Sequence, residues 1–280
     1  MRRLPAPLTR VVSFPSTATT VGQVPAIRPF LLLSTRPEDP AAAGEYESFR
    51  TVLGLAPDEL HHVRLERGPL GEISLDDYSG IIIGGGPFNN TEEHKSEVQL
   101  RVERELAGLV ERILHRDYPL FAACYGIGVV GQAIGATLSR NYPEDASAIT
   151  VDLTDAAASV PILAGTPRHF DTLVGHKENI ETLPECYTRA DGTTLPVRLL
   201  ATGAACPVHM FSVGDNIFVT QFHPELDHDS FALRVRIYRN EGYFPPEDAD
   251  AIIAQAARHQ VADSQHMLRA FGQRYRVPQH

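Results

Sequence analysis

Near the middle of this chain an apolar strand passes into a helix with nothing between them. Pro119 to Cys124 has the composition of a buried strand, and Gly126 to Ile134 reads as helix. A junction that tight forces a sharp turn at Cys124 and lifts its side chain out of the sheet. Small residues stand two before and two after it, at Ala122 and Gly126, where such a turn leaves no room for bulk. The same alternation recurs on the N-terminal side. Pro29 to Thr35 is a short apolar run read as strand, and Glu45 to Leu55 is a helix ended by Gly54 and Pro57. Ile81–Ile83 is β-branched and stops at Gly84-Gly85-Gly86-Pro87, which must be a loop. Lys95 to His115 is the clearest helix, with Val98, Val102, Leu106, Leu109 and Ile113 on one apolar stripe.

Strands and helices alternating at this spacing predict an α/β fold, a mostly parallel sheet with helices on both faces. From Ala148 to Thr220 the chain turns β-rich, at Ile149–Leu153, Val197–Ala201 and Ile217–Thr220, which predicts antiparallel strands finishing or flanking that sheet. After Pro245-Pro246, Glu247 to Phe271 reads as one or two closing helices. Three segments are expected: a disordered or leader segment over 1–28, a main domain over 29–245, and a helical extension over 246–280 packed on it. The first carries Arg, Ser, Thr and Pro and no acidic residue.

Composition excludes several function classes. A formal charge of −10 over 280 residues argues against a nucleic-acid surface, which needs a clustered basic face. Apolar residues at 43 % supply a sizeable core, yet no apolar run approaches the roughly 18 residues that span a bilayer. Cys124, Cys186 and Cys206 suit neither a disulfide framework nor a four-cysteine zinc site, so a reducing, cytoplasmic setting is expected. Cys186 and Cys206 read as packing or bystander residues, and His61-His62 as the solvated end of a helix.

Three motifs carry chemistry. The first is Phe121-Ala-Ala-Cys-Tyr-Gly-Ile-Gly128, whose turn puts Cys124 at a helix N-terminus, where partial positive charge favours thiolate. The second is Phe218-Val-Thr-Gln-Phe-His-Pro-Glu225. Pro224 forces extended backbone at His223, so the strand is expected to continue through it; residues two apart on a strand share a face, so His223 and Glu225 project together. That suits a general base and the carboxylate that orients it. A metal reading would also recruit His228 and Asp229, at irregular intervals that disfavour it. The third is the Gly84–Pro87 loop, which lacks Walker and Rossmann spacing. Its backbone and the Tyr125 amide together can form an oxyanion hole.

The order Gly-Gly-Pro, Cys-Tyr-Gly, Phe-His-Pro-Glu resembles the class I (triad) glutamine amidotransferases, especially the amidotransferase half of GMP synthase, from about Pro29 to Leu226. The resemblance implies a flavodoxin-like sheet, with Cys124, His223 and Glu225 converging at its carboxyl edge. It implies Cys124 as nucleophile, His223 as base, Glu225 as orienter, and Gly85, Gly86 and Tyr125 about the oxyanion and substrate. It further implies hydrolysis of the glutamine side-chain amide through a γ-glutamyl thioester, no cofactor, and ammonia passed to a synthetase or ligase on a separate chain. Gly175 to Pro184 resembles the family's His-containing segment near the site mouth, with no catalytic role attached to it. Two positions depart from the pattern: Gly128 replaces the glutamine of Cys-x-Gly-x-Gln, and Glu144-Asp-Ala146 replaces an acidic-x-Gly segment. They leave open a γ-glutamyl peptide hydrolase with the same triad, or a degenerate binding or regulatory subunit.

Overall fold

The computed structural model describes residues 27–278. Its first half alternates β1 (Phe30–Ser34), α1 (Asp39–Leu53), β2 (Leu60–Arg64), β3 (Gly80–Ile83), α2 (Glu97–Arg116), β4 (Leu120–Ala123) and α3 (Tyr125–Ile134). A β-rich stretch follows, with β5 (Thr137–Ser139), β6 (Glu144–Leu153), β7 (His169–His176) and β8 (Asn179–Thr182). It continues through β9 (Cys186–Thr188), β10 (Thr194–Gly203), β11 (Met210–Val213) and β12 (Ile217–Thr220). Helices α4 (His228–Ile237), α5 (Ala249–Ala256) and α6 (Ala262–Tyr275) end the described chain.

One ten-stranded sheet runs β2-β1-β3-β4-β12-β11-β10-β6-β7, with β9 added to β10. The first five strands are mutually parallel, and the pairings from β12 to β7 are antiparallel. The parallel strands are apolar at consecutive positions because both sides are covered. Phe30, Leu32, Ile82, Phe121 and Phe218 face one way, onto α1 and α6 through Phe49, Leu53, Met267 and Phe271. Leu31, Leu33, Ile81, Ile83 and Val219 face the other way, onto α2 and α3 through Val102, Leu106 and Val130. This is the doubly covered, mostly parallel sheet that the alternation predicts.

Several local expectations are corrected. Helix α1 starts at Asp39, before the expected Glu45, because Pro40 sits in the first turn where its missing N–H costs nothing. His61 and His62 belong to strand β2; His62 Nε2 lies 2.7 Å from the Ser34 hydroxyl. Val98 is off the α2 stripe and 39 % exposed, whereas Val102, Leu106, Leu109 and Ile113 are buried. Strand β12 is antiparallel to β11 but parallel to β4, so it completes the parallel half. It ends at Thr220, and His223 lies beyond it in irregular chain, contrary to the extended strand expected there. Of the segment 1–28, Ile27 bridges Pro278 and Arg28 N donates to Val277 O at 2.8 Å; the rest lies outside the described residues.

Candidate active site

The strand-to-helix turn is strained in the way the sequence implies. Cys124 has φ 50° and ψ −99°, a region costly for any residue with a Cβ, and it caps α3. A Cβ on Gly126 would stand 2.8 Å from Ala122 Cβ and 3.2 Å from Ile83 Cγ2, so the small residues are required for the turn to close. Cys124 N donates to Thr220 O at 2.8 Å, which ties the turn to the end of the adjacent parallel strand β12. His223 N donates to Leu173 O at 2.9 Å. Cys124 and His223 thereby meet at the carboxyl edges of neighbouring strands, where α/β sheets hold their ligands.

His223 Nδ1 lies 2.8 Å from Glu225 Oε1. Burial opposes a charge on the imidazole, but Glu225 and then Cys124 outweigh it and hold His223 up at about 9. Burial opposes a charge on Glu225 too, and His223 with Arg234 pulls its carboxyl down to about 2. A carboxylate on Nδ1–H fixes the tautomer that leaves Nε2 to exchange a proton.

A charged network lies beneath this pair. Arg234 Nη1 donates to Glu225 Oε1 at 2.9 Å, and its Nη2 lies 3.7 Å from Glu45 Oε1. Glu45 accepts from Arg36 Nε at 2.9 Å, and Arg36 Nη1 donates to the Tyr238 hydroxyl at 3.1 Å. Burial disfavours the Arg36 charge, and Glu45 with Tyr238 overcomes it, raising the guanidinium above its ordinary range. Two carboxylates and two guanidiniums cancel. These four charges therefore sum to zero, and a charge on His223 is favoured first by Glu225 and then by its neighbour Cys124.

The glycine loop plays two parts. Gly85 N already donates to Glu45 Oε1 at 3.1 Å, so it is no free donor for an oxyanion as expected; what Gly85 supplies is space. A Cβ there would stand 2.6 Å from Arg36 Nη2, 2.9 Å from His223 Cε1 and 3.5 Å from Cys124 Cβ. Gly86 N donates to no acceptor among the described residues. The Tyr125 amide belongs to the first turn of α3, whose donors have no intrahelical acceptor. Two clefts share Gly86, Cys124, Gly175 and Tyr243: one apolar with Arg36 and Arg234, the other polar with Lys177, Glu178 and Gln221.

Position 128 is filled from outside the helix. A Cβ on Gly128 would stand 2.2 Å from both Asn90 Nδ2 and Glu178 Oε1, which bond each other at 3.0 Å. In the segment from Gly175 to Pro184, His176 packs beside this cleft, and His228 turns away to the His259 carbonyl at 3.0 Å. The residues unread in the sequence are Arg36, Glu45, Asn90, Glu178 and Arg234. The available signal was charge on an apolar stripe: Glu45 continues Ala41–Phe49 on α1, and Arg234 sits between Phe231 and Val235 on α4.

The family model described as glutamine amidotransferase class-I matches residues 59–236, more than half of the chain. The chain belongs to the class I glutamine amidotransferase family. A glutamine-hydrolyzing GMP synthase of Thermomicrobium roseum is 26 % identical over 182 residues, 64 % of this chain and 30 % of that protein. One subunit of the glutamine-hydrolyzing GMP synthase of Methanothermobacter thermautotrophicus is 26 % identical over 60 % of this chain and 76 % of its own. The chain thus spans about a third of the T. roseum protein and three quarters of the shorter one. A glutamine amidotransferase from Thermotoga maritima superimposes with a TM-score of 0.68 at 17 % identity, over 89 % of this chain and 98 % of that one. At that identity the match speaks for the shared fold.

Proposed function

We propose that this amidotransferase hydrolyses the side-chain amide of glutamine and releases ammonia for an acceptor bound by a separate chain, with Cys124, His223 and Glu225 as its triad. The observation that carries the reading is the meeting of a strained Cys124 turn with a buried His223–Glu225 pair at one sheet edge. The M. thermautotrophicus relative, itself one subunit of a GMP synthase, supports a synthetase on another polypeptide.

His223 takes the Cys124 proton, and the sulfur attacks the amide carbon. Charge gathering on the amide oxygen is met by the N–H groups of Gly86 and Tyr125. His223 returns the proton to the leaving nitrogen, and the C–N bond breaks to give ammonia and a γ-glutamyl thioester. A water then gives its proton to His223 and attacks the thioester carbon. The C–S bond breaks, glutamate leaves, and His223 returns the proton to the Cys124 thiolate. Glu225 holds Nδ1–H throughout and offsets the imidazolium charge; Arg234 positions Glu225.

A second reading follows from Gly128, where Asn90 and Glu178 occupy the space of a longer side chain. A carboxylate in that cleft favours a substrate bearing an ammonium, which glutamine shares with γ-glutamyl peptides. Ammonia release from glutamine, measured for wild type and Cys124→Ala with and without candidate synthetase chains, tests the first reading. Release above the Cys124→Ala level supports it. A preference for γ-glutamyl peptides supports the second, and no turnover of either overturns both.

A further inference from the structure

Behind the wall of the candidate site, four side chains from three segments converge. Glu144 opens β6, His176 closes β7, and Cys206 and His209 lie in the turn before β11. A carboxylate oxygen of Glu144, a ring nitrogen of His176 and the Cys206 sulfur all lie within 4.8 Å of one another. Glu144 Oε2 is 2.8 Å from His176 Nε2 and 3.2 Å from His209 Nε2. Cys206 and His209 are fully buried and His176 nearly so.

The hydrogen bonding here does not close with a neutral imidazole and an ionised carboxylate alone. His176 Nδ1 faces the Glu178 carbonyl oxygen at 3.0 Å while its Nε2 faces the Glu144 carboxylate. A neutral imidazole has one N–H, so one of those contacts sets a lone pair against an oxygen. A cation at Nε2 resolves this, with Nδ1–H donated to the Glu178 carbonyl; metal-bound histidines are commonly held that way. His209 gives the second, independent sign. Its ring is fully buried, and neither nitrogen has a partner in hydrogen-bond geometry among the described residues.

We infer that Glu144, His176, Cys206 and His209 form a binding site for a borderline divalent cation of the zinc type. One thiolate, two imidazoles and one carboxylate suit tetrahedral zinc, and four protein donors leave no open position, as in a structural site. Adjacent donors around zinc stand about 3.2–3.8 Å apart. The widest gap among Glu144, His176 and Cys206 therefore closes by no more than about 1.6 Å, the 2.8 Å Glu144–His176 contact opens slightly, and His209, outside that group of three but 3.2 Å from Glu144, moves in with it. Binding displaces the Cys206 thiol proton to solvent and takes both imidazoles as neutral ligands. The ion would pin the ends of β6 and β7 to the turn before β11. It would also fix Gly175, which precedes His176 and whose carbonyl oxygen lies 4.0 Å from Cys124 Sγ.

The test uses the full chain, stripped with a chelator, reloaded with excess zinc, desalted and assayed for bound metal. About one zinc per chain is expected for wild type and for Cys124→Ala, against under about a tenth for Cys206→Ser. Circular dichroism establishes that the near-isosteric serine variant is folded. On wild type alone, cobalt in place of zinc should give a near-ultraviolet thiolate-to-cobalt absorption band. Folded wild type that retains no zinc overturns the inference. Zinc retained without the thiolate band, or retained undiminished by Cys206→Ser, overturns it equally.

Discussion

Arg234 Nη1 donates to Glu225 Oε1 at 2.9 Å, the same oxygen that faces His223 Nδ1 at 2.8 Å. One carboxylate oxygen therefore carries both the orientation of the candidate base and its tie to the buried ionic shell. Removing that carboxylate frees the imidazole to take either tautomer. Glu225→Gln is expected to lower turnover about 100-fold or more while leaving KM within a few-fold, because it acts on the proton-transfer step. Steady-state kinetics separate the two parameters, and a change confined to KM would contradict the role.

The ionic shell is a stability element as well. Glu45 accepts from Arg36 and from Gly85 N, and lies near Arg234. Glu45→Ala leaves two buried guanidiniums without that counter-charge, and breaking a buried pair costs about 3–5 kcal/mol. Urea unfolding should show the loss as a lower midpoint. A midpoint within experimental error of wild type would show that Glu45 carries no such burden.

Position 128 makes a steric prediction. Gly128→Gln drives its Cβ to within 2.2 Å of Asn90 Nδ2 and Glu178 Oε1, so overpacking of about 1–3 kcal/mol is expected. Asn90→Ala should cost little beside it and should recover part of that loss in the double variant. Thermal unfolding of the four proteins forms the cycle, and strict additivity would contradict the clash.

The pair also sets a pH dependence. His223 is raised to about 9 in the folded chain from an ordinary 6.5, so its contribution is complete below about 6.5 and lost as pH rises through 9. Glu225 is lowered to about 2 from an ordinary 4.5, so its contribution is complete above about 4.5 and lost as pH falls through 2. The pair's stabilisation is greatest between about pH 4.5 and 6.5. The urea midpoint should fall from about pH 6 to about pH 9.5 in wild type, and less so in Glu225→Gln. An equal fall in both would detach the effect from this pair.

Much of the fold was legible because strand and helix periods differ and because both faces of the parallel strands are buried. Ile81–Ile83 and Phe121 to Ala123 are apolar without interruption, and the helix over 97–116 keeps its stripe from Val102 onward. Strand β2 escaped because Leu-His-His-Val-Arg alternates weakly at the sheet edge, where Leu60 is buried, His61 exposed and the other three half-covered. At the site, Cys124 was readable from its flanking small residues, whose reason is steric and local. The Arg234–Glu225 and Arg36–Glu45 contacts were not, because they join residues of separate elements through burial alone. Glu178 and Asn90 illustrate the same limit: 88 positions apart, they meet only because Gly128 leaves them room.

If Cys124 is the nucleophile on a γ-glutamyl carbonyl, it carries that acyl group as a thioester during turnover. The decisive measurement is acid-quenched intact-mass analysis of wild type, Cys124→Ala and His223→Ala during glutamine turnover. A mass increase of one γ-glutamyl group is expected in wild type, mapped by peptide digestion to Cys124 and absent from Cys124→Ala and His223→Ala. Ammonia release with no adduct at Cys124, or an equal adduct in His223→Ala, would contradict it.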